Sequence, residues 1–171
     1  MDLTKYLAVR DQMGSGDMLE WSGKSVLDVL IRIKTGQDVN HTSLILNLES
    51  PASGPVLMNV EAMADGVEPH FLSTELSLYD GRVFWYKLKR EFKNEIPVIE
   101  SRMFFYAGRT GYAYCDLCHQ LAGRTIIHEG EPLTTLFCSE TAFVINGGTG
   151  EVPWPGEVNK FLNRWEDRIE L

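Results

Sequence analysis

Apolar residues recur at helical spacing in several parts of the chain. One such run begins after Ser25, a typical helix N-cap, and stops before Gly36. It predicts a helix over residues 25–34 that buries one apolar face. The same spacing predicts a long helix over residues 95–108, where Pro97 is tolerated because it falls in the first turn. The remaining predicted helices cover residues 114–122, 138–145 and 157–168, and we expect the last of them to be peripheral.

Strand-like segments lie mainly in the first half of the chain. They cover residues 18–21, 41–48, 56–62, 67–72 and 82–88. The last of them is rich in aromatic and β-branched residues, which favour a pleated, half-buried surface. A segment rich in Pro, Gly and Ser separates the second strand from the third, so these two should form a β-hairpin. The pattern predicts an α+β fold with an antiparallel sheet.

The composition is that of a globular protein without a nucleic-acid footprint. The 171 residues are 44% hydrophobic and suffice for one domain, residues 1–171, that folds by itself. A net charge of −8 disfavours nucleic acids and anionic membranes, because both attract clustered Lys and Arg. No segment reaches the roughly 20 apolar residues of a transmembrane helix. Since none resembles a signal peptide either, we expect a cytoplasmic protein.

Cys138 is the cysteine with the most informative surroundings. The chain has three cysteines, an odd number that fits a reducing compartment better than a disulfide framework. Cys138 follows a short apolar segment and falls in the first turn of the predicted helix over residues 138–145. Backbone N–H groups at a helix N-terminus favour a thiolate and can later hold an oxyanion. The alternative is that Cys138 is a small buried core residue.

Spacing in the predicted hairpin selects one of the four histidines as a base. If the turn is centred near Pro51, Glu61 lies directly opposite His41 on one face of the sheet. A carboxylate in that position holds a histidine in one tautomer and stabilises its imidazolium form. His41 is therefore the candidate base, whereas His70 and His128 lie in loop-like surroundings. The alternative is a strand histidine with a chance carboxylate neighbour.

Five short motifs occur along the chain in the order found in a known enzyme family. They are Gly16-Asp17-Met18-Leu19, Asn40-His41-Thr42-Ser43, Glu61-Ala62 with Gly66-Val67, Gly111-Tyr112-Ala113-Tyr114 and Phe137-Cys138-Ser139-Glu140. In this order and context the chain resembles the circularly permuted branch of the NlpC-like papain-fold cysteine peptidases and amidases, to which lecithin retinol acyltransferase is also related. The resemblance spans about residues 16–145. The sequence differs from the family at Ala113, where the family often has an acidic residue.

The resemblance implies an α+β, papain-like, circularly permuted fold, in which an antiparallel β-sheet or half-barrel packs against helices. It implies that Cys138 is the nucleophile, His41 the base and Glu61 the third, orienting member of a triad. It also implies that Tyr112 and Ser139 lie near the substrate or its oxyanion. A histidine that precedes the cysteine fits a permuted fold, because an active site depends on spatial arrangement and not on chain order.

The activity implied by the resemblance is that of a cysteine-dependent hydrolase, a peptidase or amidase with an acyl-enzyme intermediate and no cofactor or metal. An acyltransferase or lipid ester hydrolase would use the same three residues. A non-catalytic binding module of the same fold is a further alternative. The expected partner is a small-molecule, peptide or lipid-derived amide or ester substrate. The sequence does not predict the oligomeric state.

A second cysteine cluster suggests different chemistry. Cys115, Cys118 and His119 form the C-x-x-C-H pattern of c-type haem attachment, although covalent haem normally goes with export. A redox dithiol or a zinc site would use the same cysteines, but no second ligand pair has matching spacing. On a helix, Cys115 and Cys118 also share a face with Leu121, which is typical of small core residues. We assign no cofactor to this cluster.

Overall fold

The computed structural model of the protein describes residues 3–50, 54–112, 127–128 and 135–171. The described helices are α1 (Thr4–Val9), α2 (Val26–Thr35), α3 (Leu72–Leu78), α4 (Ile96–Tyr106), α5 (Cys138–Ile145) and α6 (Val158–Leu162), with 3-10 helices at Arg10–Gln12 and Arg90–Glu95. The strands are β1 (Met18–Ser22), β2 (His41–Ser50), β3 (Gly54–Met63), β4 (Gly66–Phe71), β5 (Arg82–Tyr86), β6 (Gly111–Tyr112), β7 (Ile127–His128), β8 (Thr135–Leu136), β9 (Gly150–Glu151) and β10 (Ile169–Glu170). The helix predicted over residues 114–122 lies outside the described residues.

Six strands form one sheet in the order β10-β5-β1-β2-β3-β4, and every pairing in it is antiparallel. Two short pairs lie outside this sheet, β6 with β8 in parallel and β7 with β9 antiparallel. The prediction of an α+β fold with an antiparallel sheet and helices is confirmed. The helices predicted over residues 25–34, 95–108 and 138–145 are confirmed as α2, α4 and α5.

The hairpin of β2 and β3 forms as predicted, but its register differs from the expected one. Leu44 pairs with Val60, which shifts the pairing by two residues. The prediction that Glu61 lies directly opposite His41 is therefore wrong. Because side chains alternate along a strand with a period of two, a two-residue shift leaves both residues on the same face as diagonal neighbours.

Alternating side chains of the sheet contribute to two hydrophobic cores. Met18 of β1 and Leu44 of β2 belong to the core that α4, α5 and α6 cover, and the adjacent Leu19 and Ile45 belong to the core that α1 and α3 cover. Both faces of the sheet therefore need helical cover. Among the described residues, no helix is both long enough and apolar enough to span a membrane.

A turn at Gly16 and Asp17 anchors the start of β1. Gly16 has a φ of 84°, and a Cβ atom there would lie 3.0 Å from Leu88 Cδ2, so glycine is required. Asp17 is 3% exposed and accepts hydrogen bonds from the Gly14 N–H at 3.0 Å and from Leu88 N–H and Trp85 Nε1 at 2.9 Å. The carboxylate thus ties β1 to the end of β5.

A capping box sets the start of α2 where the sequence predicts it. The Ser25 hydroxyl accepts a hydrogen bond from the Asp28 N–H, and the Asp28 carboxylate accepts one from the Ser25 N–H. Gly36, with a φ of 68°, ends the helix in the left-handed conformation that glycine adopts without strain.

The burial of α2 differs from the prediction. Ile31 is its buried residue, whereas Val26 and Ile33 are 79% and 74% exposed and Leu30 is 54% exposed. The expectation that α2 buries one apolar face is therefore wrong. The helix borders an open cavity, which Leu27 and Ile31 line, instead of covering the sheet.

The C-terminal segment is not peripheral, although the sequence analysis expected it to be. In place of a helix over residues 157–168, α6 ends at Leu162 and Asn163 is left-handed with a φ of 50°. Trp165 is 2% exposed, and its Nε1 donates a 2.8 Å hydrogen bond to the Gly16 carbonyl. The indole ring is buried among apolar residues and its N–H group has a hydrogen-bond acceptor. Both interactions stabilise the packing of this segment against the rest of the protein. Beyond it, β10 pairs with β5 at the sheet edge.

Candidate active site

Cys138 is the first residue of α5 and follows the short strand β8. Phe137 is extended, with φ −107° and ψ 174°, so the chain turns into the helix at the cysteine. The carboxylate of Glu140 accepts a 3.3 Å hydrogen bond from the Phe137 N–H and caps this end. Cys138 is a free cysteine and is 4% exposed. The N–H groups of the first turn and the helix dipole favour a negative charge at this position.

His41 is the first residue of β2, and its neighbours fix the start of that strand. His41 pairs with Trp21 of β1. The preceding Asn40 is 4% exposed, and its side-chain carbonyl accepts a 2.7 Å hydrogen bond from the Gly23 N–H. Its amide donates a 2.8 Å hydrogen bond to Asp28 of α2. These bonds hold the backbone from which the imidazole projects.

The imidazole of His41 lies between Cys138 and Glu61. Its Nε2 is hydrogen-bonded to Glu61 Oε2, and the ring lies close enough to Cys138 for the charge of a thiolate there to raise the pKa of the ring. An imidazole has two ring nitrogens, so Nδ1 is the atom left for the cysteine. When Nε2–H donates to the carboxylate, Nδ1 becomes an acceptor for the thiol proton. The structure thus brings the three predicted catalytic residues together around the imidazole of His41.

The charges around His41 favour its protonated form. Burial alone would lower the pKa of His41, but the negative charges of a Cys138 thiolate and of the Glu61 carboxylate raise this pKa well above its usual 6.5. Burial alone would raise the pKa of Glu61, but the charge and hydrogen bond of His41 hold the pKa of this carboxyl below its usual value. An imidazolium between two anions is the state that these contacts stabilise.

A second carboxyl group lies next to Glu61. Glu75 of α3 is hydrogen-bonded to Glu61, and its Oε2 accepts a 2.6 Å hydrogen bond from Asn59 Nδ2. Burial, followed by the hydrogen bond and negative charge of Glu61, raises the pKa of Glu75 to about 8. The sequence analysis missed this residue because it did not predict α3, although the spacing of Leu72 and Leu76 was a signal for a helix.

Two further predicted site residues lie close to Cys138 in the chain or in the sheet. Tyr112 of β6 pairs with Leu136 of β8, which stands two positions before Cys138. Ser139 is fully buried, and its Oγ has no hydrogen-bond partner among the described residues. Ser139 is not among the residues that line the cavity described next.

An open cavity of about 510 Å³ reaches Cys138, His41 and Glu61. Its wall is mostly apolar and includes Trp21, Leu27, Ile31, Phe137 and Trp154. Apart from His41, the ionisable side chains that line it are acidic, and no described lysine or arginine contributes to the wall. A cavity of this kind favours an uncharged apolar group beside the cysteine, since the positive charge of a protonated His41 is already paired with Glu61.

Within the described residues, one group of possible metal-ligand atoms lies close together. Glu61, His70 and Glu75 each offer an atom within 4.8 Å of the others. His70, which the sequence analysis placed in a loop, is in β4 and is 39% exposed at its side chain. We do not identify the three as metal ligands, because hydrogen bonds between the carboxyl groups and to His41 and Asn59 already account for their positions. Cys115, Cys118 and His119 lie outside the described residues.

Comparison with known proteins relates the chain to a solved structure. No protein-family model matches the chain, and no curated protein matches it. The chain is similar to the crystal structure of metalloprotein yiiX from Escherichia coli O157:H7, DUF1105, with a TM-score of 0.57 and 15% sequence identity. The match covers 78% of this chain and 64% of that chain, so this chain spans less than two thirds of that protein's length. The likeness is one of fold alone.

Proposed function

We propose that the protein is a cysteine-dependent hydrolase with a papain-like, circularly permuted fold, in which Cys138 is the nucleophile, His41 the base and Glu61 the orienting carboxylate. One observation carries this proposal. A single imidazole is hydrogen-bonded to a buried carboxylate and lies beside a cysteine at a helix N-terminus, whose charge raises the pKa of the imidazole. Nucleophile, base and orienting group within hydrogen-bond reach are the signature of an activated nucleophile.

The first half of the proposed reaction forms an acyl-enzyme. His41 accepts the thiol proton of Cys138, and the thiolate attacks the carbonyl carbon of an amide or ester. Backbone N–H groups at the start of α5 then stabilise the negative oxygen of the tetrahedral intermediate. When the intermediate collapses, His41 gives its proton to the departing amine or alcohol, and the acyl group remains on the sulfur as a thioester.

The second half releases the acyl group and restores the enzyme. His41 removes a proton from water, and the resulting hydroxide attacks the thioester carbonyl. Collapse of this intermediate releases a carboxylic acid, and Cys138 leaves as a thiolate that takes up the proton from His41. If an alcohol or amine enters in place of water, the same steps transfer the acyl group to that acceptor.

The cavity wall favours one substrate class among those that the triad could process. Leu27 and Ile31 of α2 line the cavity, and the neighbouring α2 residues Leu30 and Ile33 continue an apolar surface toward solvent. This arrangement suits the acyl chain of an apolar ester or amide better than a charged peptide. The cavity wall therefore supports hydrolysis or transfer of apolar acyl groups as a second candidate activity beside peptide and amide hydrolysis.

The experiment that tests the proposal measures alkylation of each cysteine by iodoacetamide as a function of pH, with mass spectrometry as the readout. We expect Cys138 to react fast at and below neutral pH, and to slow at least about tenfold in His41→Ala. Cys115 and Cys118 serve as internal references, and His70→Ala is the matched histidine control. If Cys138 reacts like an ordinary thiol in the unmodified protein, the proposal fails and a binding module becomes the better interpretation.

A further inference from the structure

Glu75 belongs to the hydrogen-bonded chain of the candidate active site but has no role in the reaction proposed above. It lies on α3, which packs against β3 and β4. Its carboxyl group has an oxygen within 4.8 Å of a carboxyl oxygen of Glu61, which is in turn hydrogen-bonded to His41. Asn59 is fully buried, and its Nδ2 donates a 2.6 Å hydrogen bond to Glu75 Oε2. The order of contacts is Glu75, Glu61, His41 and Cys138.

Two neighbouring carboxyl groups can form a hydrogen bond with each other only if one of them is protonated. An ionised carboxylate is an acceptor only, so one of the two must carry the hydrogen that the other accepts. The contact with the His41 ring holds the pKa of Glu61 low, whereas burial and the charge of Glu61 raise the pKa of Glu75 to about 8. Glu75 is therefore the member of the pair that carries the proton at neutral pH.

We propose that Glu75 is a positioning residue, which as a neutral carboxylic acid donates a hydrogen bond to Glu61 and so holds the carboxylate that orients His41. Loss of this proton in alkaline solution replaces the hydrogen bond with repulsion between two anions, which displaces Glu61 from the imidazole. The inference rests on the proposed function of Cys138, His41 and Glu61. It adds to that function an alkaline switch built from a residue outside the triad.

The groups that face Glu75 come from several elements. Glu61 and Asn59 project from β3, and His41 approaches from β2. On β4, Glu68 and His70 are the register partners of Glu61 and Asn59, and their side chains are 44% and 39% exposed. On α3 and its C-terminal end, Tyr79 is the nearest further titratable group, and burial keeps it neutral by raising its pKa far above 10.

Among the groups in these surroundings, Glu75 is the one whose loss of a proton would change the reactivity of Cys138 at alkaline pH. The positive charge of His70 lowers the pKa of Glu61, so a change at His70 is the competing source of pH dependence and requires its own variant. Glu68 is a further carboxyl side chain on the strand next to Glu61, and it is more exposed than the buried Asn59 and Glu61. Glu68→Gln is therefore the matched control for replacement of one carboxyl group near the triad by an amide.

The test compares two substitutions of Glu75 by the alkylation rate of Cys138 with iodoacetamide, from about pH 6 to about pH 10. Glu75→Gln keeps a donor to Glu61 but cannot lose a proton. Glu75→Ala removes the donor. The readout is the alkylation rate of the unmodified protein divided by that of Glu75→Gln at each pH. This ratio cancels the pH dependence of the thiol and of the reagent. Circular dichroism and thermal unfolding check that each variant is folded.

The expected ratio is close to one at neutral pH and falls about three- to tenfold as the pH passes about 8. Glu75→Ala should react about tenfold more slowly than Glu75→Gln at neutral pH, so glutamine rescues what alanine loses. Glu68→Gln and His70→Gln should leave the step in place. Carboxyl ¹³C NMR should show that Glu75 titrates near 8 in the unmodified protein and at lower pH in Glu61→Gln.

Three results would overturn the inference. The first is a ratio of the two alkylation rates that does not change with pH while Cys138 remains highly reactive. This result would contradict the alkaline switch but not the triad. The second is a Glu75 carboxyl that titrates near its usual 4.5, a measurement that does not depend on cysteine reactivity or on Glu75→Ala folding. The third is an alkaline step that disappears with EDTA and returns with Zn²⁺, since a metal would then hold the carboxylates in place of the proton. An unreactive Cys138 in the unmodified protein contradicts the proposed function instead, and the NMR titration still decides whether the carboxyl pair shares a proton.

Discussion

His41 and Glu61 are hydrogen-bonded across β2 and β3 although they are not register partners. The pairing of Leu44 with Val60 places them diagonally on one face of the hairpin. Diagonal neighbours stand about 7–8 Å apart at the backbone, which two long side chains can bridge. The contact therefore depends on the face that the residues share and on the reach of their side chains, and not on direct opposition.

Cys138→Ala should abolish formation of a covalent acyl-enzyme while the protein stays folded. The substitution removes the sulfur that forms the thioester, whereas the loss of one buried atom should lower the free energy of unfolding by only about 1 kcal/mol. Mass spectrometry after incubation with an activated ester measures the adduct, and urea unfolding measures the stability. An adduct of unchanged yield in the variant would exclude Cys138 as the nucleophile.

Glu61→Gln should impair ester cleavage less than His41→Ala does. An orienting group contributes less than the base whose proton transfer it supports, so we expect about a 10- to 100-fold loss for the glutamine variant and a larger one for the alanine variant. Steady-state rates with a chromogenic ester near neutral pH provide the comparison. Glu68→Gln, on the neighbouring strand, is the control. Equal losses in the two variants would contradict the assigned roles.

Glu20 should make the folded state less stable as the pH rises toward neutrality. This residue is 1% exposed, and burial raises its pKa from 4.5 to about 7 despite hydrogen bonds from Tyr86 and the Gly156 N–H. A pKa that is higher in the folded state contributes stability below about pH 4.5, and this contribution is lost as the pH rises through about 7.

The linkage between proton binding and folding gives the size of the Glu20 contribution to the free energy of unfolding, and it suggests a test. A pKa difference of this size corresponds to at most about 3 kcal/mol. Urea unfolding at a series of pH values should show a loss of stability between about pH 4.5 and 7 that Glu20→Gln flattens. The same slope in the variant as in the unmodified protein would show that other groups cause the pH dependence.

Asp17→Ala should destabilise the protein by about 2–4 kcal/mol. The substitution leaves three donors without their acceptor, namely the N–H groups of Gly14 and Leu88 and the indole of Trp85. Urea unfolding measures the change. Asp11→Ala is the control, because the Asp11 side chain is 90% exposed and should change the stability by less than about 0.5 kcal/mol. Similar effects of the two substitutions would contradict the anchoring role of Asp17.

Local patterns were sufficient to predict much of the fold. Helical spacing, the Ser25 cap and the Gly36 stop located α2 correctly, because capping and backbone conformation depend on residues close in the chain. The same holds for Cys138, whose place at the start of α5 follows from the local change from strand to helix. By contrast, the burial of α2 and the peripheral position of the C-terminal segment were predicted wrongly, because burial depends on which distant elements pack against a segment.

The sequence by itself determined α2, α4, α5 and the strands β1 to β5, the face that His41 and Glu61 share, and the position of Cys138 at a helix N-terminus. The tertiary structure alone decided the hairpin register, the contact of His41 with both partners, and the approach of α3 that brings Glu75 to Glu61. The physical reason is the range of the interactions. Periodicity and capping act over a few residues, whereas hydrogen bonds between distant side chains and the pKa values they shift depend on how the elements pack.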